Sequence, residues 1–236
     1  LEAMEPTPQP KSHIPPAMER FIGANAFHDD TPGRLLAVGS IREYHDWSWN
    51  EGGNDVNYPG DLARFEKAYI GNWNFDAFYK FGYQAGLSIV PDIKETTPWL
   101  NEGNANLESK PLPPSENRDA ESPISYIEHA KFLFQYAARY GSTSVPLSDL
   151  KVHPEEPQLT GLGTVRWLEN WNEQDKTWRG RSGFFKPYEY AAMSSADIDG
   201  HLGAMGPGVG LKTADPNMKF AMSGLAYLSL DTIKAM

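Results

Sequence analysis

One short stretch concentrates the groups that could do chemistry. Residues 165–175 read Val-Arg-Trp-Leu-Glu-Asn-Trp-Asn-Glu-Gln-Asp. The run opens as a buried strand would, with Val165, Trp167 and Leu168,. It closes on Asn170, Trp171, Asn172, Glu173 and Asp175, a cluster of amides, carboxyls and an aromatic ring at one strand end. Such a mixture suits a carbohydrate: flat rings pack on sugar faces, amides fix hydroxyls, and a carboxyl moves a proton. Glu169 precedes Glu173 by four residues, so strand alternation sets both on one face,.

These residues need a scaffold, and the hydropathy pattern supplies one. Strands are predicted over Phe21 to Phe27, Val38 to Tyr44, Leu87 to Asp92, the organising run itself, and Met218 to Gly224,. Helical signals separate them. Thr31-Pro32 gives a cap followed by Pro at the first helical position, Trp73 to Ala85 has helical spacing closed by Gly86, and Ser122-Pro123 opens a helix closed at Tyr140-Gly141,. Pro187 opens another, and Asp231 is expected to cap a last one,. Pro91 is expected to limit how far the third strand's ladder runs,. Two long loops, 50–72 and 101–121, have the length of functional or mobile segments,.

Five strand–helix units in alternation indicate an α/β fold with a parallel sheet. A dinucleotide-binding fold would also alternate, but it needs a Gly-rich turn after the first strand, and Phe21 to Asp30 offers only Gly23,. A TIM-type (β/α)8 barrel fits better, with about the first five β/α units present, because the chemistry-bearing residues all fall after strands, where a barrel places its site. Those residues are Arg42, His45, Trp47 and Trp49 after the second strand, Lys94, Glu95 and Trp99 after the third, and Trp171, Asn172, Glu173 and Trp178 after the fourth. Strands 2 and 4 feed the same interior layers, and a lone buried carboxylate is costly, so an Arg42–Glu169 ion pair is expected to position the site without doing its chemistry.

At Glu169-Asn170-Trp171-Asn172-Glu173 the chain resembles clan A of the retaining glycoside hydrolases, whose fourth strand ends in Asn-Glu. The nearest likeness is to family 39, through this run and Arg42-Glu-Tyr-His45. Gln174 stands where that clan usually has Pro. The resemblance implies a glycosidase acting on a poly- or oligosaccharide, with Glu173 as general acid/base and Asn172 on the hydroxyl beside the scissile bond. By position and residue type, substrate contacts are expected from His45, Trp47, Trp49, Trp99, Trp171 and Trp178, with Trp171 and Trp178 as an apolar wall near Glu173. The resemblance implies no cofactor or metal, and a secreted, periplasmic or cell-surface location. The nucleophile would be a Glu on a seventh strand, beyond the five seen here, so the chain resembles the first part of a barrel. Self-association over open strand edges is expected if nothing else completes it. The alternative is a non-catalytic carbohydrate-binding barrel or an inactive barrel fragment.

Composition narrows the field. The chain has 236 residues, 40% apolar and 12% aromatic, which suits a packed domain,. A net charge of -10 argues against nucleic acid, which needs a basic face,. No run approaches a membrane span, and the absence of Cys excludes disulfides and thiolate metal sites,. Residues 1–19, with five prolines, are expected to form a flexible lead-in to a barrel domain over 20–236,. Asp197, Asp199 and Gly200 lack the ligand spacing of a calcium loop, and Gly206 to Gly210 lacks the Lys-Ser/Thr of a phosphate loop,.

Overall fold

The computed structural model describes residues 17–58, 60, 62–104, 106–114, 118–227 and 229–235. The flexible lead-in expected over 1–19 therefore lies almost wholly outside the described residues. Its last part is not extended, because a one-turn helix, α1 (Met18–Phe21), forms there.

Five strands, β1 (Gly23–Ala26), β2 (Ser40–Asp46), β3 (Ser88–Lys94), β4 (Trp167–Asn170) and β5 (Lys219–Met222), make one sheet. Every pairing is parallel and the order is β1-β2-β3-β4-β5. Each connection steps to the next strand without reversing. With right-handed crossovers, that keeps the helices on one face, as in successive units of a barrel, whereas a doubly wound sheet reverses direction. The helices are α2 (Pro32–Leu35), α3 (Phe75–Gln84), α4 (Ile127–Tyr140), α5 (Gly180–Gly183), α6 (Pro187–Asp199), α7 (Leu211–Ala214) and α8 (Leu230–Lys234).

Local chemistry explains the boundaries. The Asn74 side chain caps α3 by accepting the Ala77 N–H at 2.8 Å,. Pro187 starts α6, and Gly200 ends it in the left-handed region at φ 67°, where a side chain would be strained,. Ser229, not Asp231, caps α8; its hydroxyl accepts the Thr232 N–H while Asp231 sits inside the first turn. β3 runs three residues past Pro91. The missing donor is tolerated because Pro91 lies opposite Glu43 on β2, before pairing with β4 begins at Asp92.

The main core lies between sheet and helices, with Ile41, Ile89, Ile93 and Leu168 from the strands against Phe75, Tyr79, Phe132 and Tyr136 from α3 and α4. The 50–72 loop, expected to be functional or mobile, is instead part of this core. Ala63, Phe65 and Ala68 are fully buried, and the buried Glu156 carboxylate accepts the N–H groups of Phe65, Glu66 and Lys67 at 2.8–3.1 Å. The loop is long because it wraps, and its side chains fill space beside α4. The opposite, concave face of the sheet carries Asn25, Arg42, Val90 and Glu169 around a shallow depression, wide open to solvent.

Candidate active site

Alternation along β2 decides which side chains can act. Ile41, Glu43 and His45 turn to the helices and are buried, while Arg42, Tyr44 and Asp46 face the concave side,. Arg42 is the hub there. Its Nε and Nη2 donate to Glu169 Oε2 and Oε1 at 2.6 and 2.8 Å, a bidentate pair, and Nη2 also donates to Asn172 Oδ1 at 3.0 Å,. The expected Arg42–Glu169 ion pair is thus present, and Arg42 also reaches the amide beside Glu173. Arg42 stacks over the Tyr44 ring, 4.7 Å from its centroid.

Asp92, on β3, completes the cluster and had no sequence signal beyond its strand-end position. Arg42 Nη2 lies 2.8 Å from Asp92 Oδ2, yet neither Asp92 oxygen has a hydrogen-bond partner among the described residues, because the contact is poorly aligned. Burial pushes the Asp92 carboxyl well above the usual carboxylate range, against the pull of Arg42,. Burial opposes charge on Arg42 too, but the Glu169 hydrogen bond and the Asp92 field hold its pKa above the ordinary value.

The backbone beyond β4 is bent into a cup. Trp171 and Glu173 both adopt left-handed conformations, φ 75° and 51°, as does Glu95 after β3, φ 64°. Such conformations are uncommon for residues other than glycine and cluster at functional sites. Glu95, Trp171 and Asn172, together with Lys94, Glu108, Lys176 and Gly183, line a single cavity of about 80 Å³. Lys94 bridges Asp46 and Glu95 at its rim. Burial, then the Asp46 charge, raises the Glu95 pKa. Burial pulls Lys94 down, but the Asp46 and Glu95 charges outweigh it and raise its pKa.

Glu173, the next residue after Asn172, has its side chain 40% exposed, and Nζ of Lys176, which lines this cavity, lies 3.5 Å from its Oε2. Its backbone N–H donates to Gly224 O at 3.0 Å, while Gly224 N–H donates to Glu169 Oε1 at 3.0 Å. The loops after β4 and β5 are laced further. Ser223 Oγ donates to Gln174 Oε1, and the buried Asp175 carboxylate accepts the Ala226 and Tyr227 N–H groups at 2.7 and 2.9 Å. Gln174, the departure from the usual Pro, thus has a partner on the next loop. Neither link is visible in sequence, because it joins residues about fifty positions apart.

The tryptophans and histidine divide differently from the sequence expectation. His45 is fully buried between Glu43, Asn50 and Tyr79, packed on Phe75 and Tyr136, so it cannot meet a substrate at the strand ends. An even number of steps along the strand would have kept it on the Arg42 face, but His45 lies three residues on, so alternation turns it to the helices,. Trp47 is also fully buried, stacked on Phe132, with its Nε1 donating to Glu51 at 2.7 Å. Trp49 is half-buried against Trp73 and Phe75. Trp99 packs edge-on to Trp47 and lines a different cavity of about 420 Å³, beside Glu51 and Lys131. Trp171 lines the cup but is 4% exposed, held edge-on to Phe185 and His129. Trp178 is 55% exposed and packs edge-on to Tyr227.

Behind the cup, His129 Nδ1 and Asn170 Nδ2 reach the two oxygens of buried Asp197, each at 2.9 Å. Asp197 is thereby committed to the core, which removes it from any calcium loop. Among the described residues no group of His and carboxylates could hold a metal ion, and no helix is long and apolar enough to cross a membrane.

No protein-family model matches this chain, and no curated protein does. Among solved structures, the chain is similar to AbfB, described as a family 51 alpha-L-arabinofuranosidase from Bifidobacterium longum, at 17% identity and a TM-score of 0.38. The superposition covers 85% of this chain and 32% of that one, so the chain spans about a third of that structure's length. The fold and site described above stand on their own geometry.

Proposed function

We propose that this chain carries the acid/base side of a retaining glycoside hydrolase acting on poly- or oligosaccharides. One observation carries the reading: Asn172 and Glu173 stand together at the C-terminal end of a central parallel strand, with Asn172 fixed by Arg42 and Glu173 presented on strained backbone. In such a reaction Glu173 donates a proton to the leaving oxygen and later takes one from water, while a second carboxylate attacks the anomeric carbon. Asn172 offers its amide N–H to a sugar hydroxyl, since its carbonyl is committed to Arg42. Arg42 acts through Asn172 and Glu169 and does not touch the sugar. The attacking carboxylate is not assigned among the five strands, where Glu95 is held by Lys94.

A second reading, binding without cleavage, draws on the Lys176–Glu173 contact, which engages the carboxylate with an ammonium. Reducing-end release from a polysaccharide panel separates the two. Release by the wild type, lost in Glu173→Gln while binding persists, supports catalysis. Binding without release, the same in wild type and Glu173→Gln, supports the second reading and refutes the first.

A further inference from the structure

We propose that Trp178 and Tyr227 form a sugar-binding corner next to the Glu173 cup, where the chain of a polysaccharide continues beyond the unit held at Asn172. The proposal rests on the carbohydrate reading of that cup and extends it to a residue, Tyr227, that no sequence pattern marked.

Large aromatic side chains are normally covered, yet these two are 55% and 58% exposed and lie against each other,. Their rings stand 5.7 Å apart at 88°, edge to face, so their planes meet at a right angle. A pyranose or furanose ring has an apolar C–H face and a polar hydroxyl rim. An open aromatic face takes the first, and a perpendicular neighbour blocks sliding across it.

The corner is built rather than incidental. Trp178 sits in the one-turn 3-10 helix Thr177–Arg179, on the loop after β4, and Tyr227 lies on the loop after β5. The two loops are clamped by Asp175, only 7% exposed, whose two oxygens separately accept the N–H groups of Ala226 and Tyr227. Glu173 is tied to the same β5 loop through Gly224. Carboxylate and corner are therefore on one hydrogen-bonded frame, five residues apart along the chain on one side. Arg179 beside Trp178 is engaged by Glu108 at 2.6 Å. This polar frame holding two bare rings fits a long neutral glycan better than an apolar partner.

The test is calorimetric titration of the full chain with cello-, xylo-, laminari- and mannohexaose and with the matching disaccharides. Wild type is expected to bind at least one hexasaccharide more tightly than its disaccharide. Trp178→Ala and Tyr227→Ala should each weaken that hexasaccharide by about tenfold and leave the disaccharide unchanged, the scale of one aromatic contact. Tyr227→Phe, which keeps the ring, should bind as wild type, and it guards against a folding artefact. Hexasaccharide affinity unchanged in both alanine variants, or no binding to any of the four by wild type, overturns the corner. Reducing-end release in Glu173→Gln is scored separately. Its failure to fall would sink the catalytic role while leaving an affinity loss at Trp178 and Tyr227 to stand as sugar binding.

Discussion

Replacing Arg42 by Met should expose how the concave face is held together. Arg42 is the cation for Glu169, whose side chain is only 12% exposed, and it makes two short hydrogen bonds to it. Removing one partner of a buried pair costs about 3–5 kcal/mol, because the other charge is left without compensation. The Arg42 side chain is itself 22% exposed. Water therefore reaches part of the pair, which sets the expected loss at the lower end, about 3 kcal/mol. Asp92 adds little to that figure, since burial already favours its neutral form. The diagnostic is a double-mutant cycle. Glu169→Gln in the Arg42→Met background removes the stranded charge and should restore at least half of the loss, so the two changes must be strongly non-additive. Urea unfolding followed by circular dichroism gives each midpoint and slope. A single-variant loss within about 0.5 kcal/mol, the scale of an exposed pair, or a double variant equal to the sum of the singles, would refute the reasoning.

Other consequences follow from the same geometry. Asp92 has a folded pKa raised by burial, so the folded state holds more protons than the unfolded chain above the ordinary value of 3.8, and stability should fall as pH rises from there toward the folded pKa,. Asp92→Asn should flatten that fall, which unfolding curves at several pH values will show. Lys110, inserted between the carbonyls of Arg181 and Phe184, has its pKa lowered to about 8 by burial, against the pull of Glu189. The unfolded chain then binds the extra proton between about 8 and the ordinary 10.5, so stability should rise across that window, and the rise should be missing in Lys110→Met,. At Gly82 on α3 an added Cβ would meet Ile89 Cδ1 at 2.4 Å and Cγ1 at 2.9 Å. Gly82→Ala should destabilise by about 1–3 kcal/mol through overpacking. Ile89→Val removes the nearer atom, and in that background the helix preference for Ala should reduce or reverse the loss in thermal unfolding.

Local signals alone determined much of this protein. The alternation of strand and helix, the five-unit parallel sheet, the Pro187 helix start and the placement of Asn172 and Glu173 at a strand end all follow from near neighbours along the chain. Side-chain period and capping are local properties, so one strand or one turn is enough to read them. The Arg42–Glu169 pair was legible for a related reason: a buried carboxylate must find a cation, and the strand-2 arginine shares its layer. Tertiary structure decided what each aromatic or titratable side chain does once there. His45 and Trp47 look as available as Trp178 in sequence, yet helix residues bury the first two while the third stays 55% exposed among the described residues. Asp92 became a buried acid only because β2 and β4 close over it. The Gln174–Ser223 and Asp175–Tyr227 ties, which join the fourth and fifth strand ends into one frame, depend on residues about fifty positions apart. Burial and contact are properties of the packed whole, and no local period encodes which face a second element will cover.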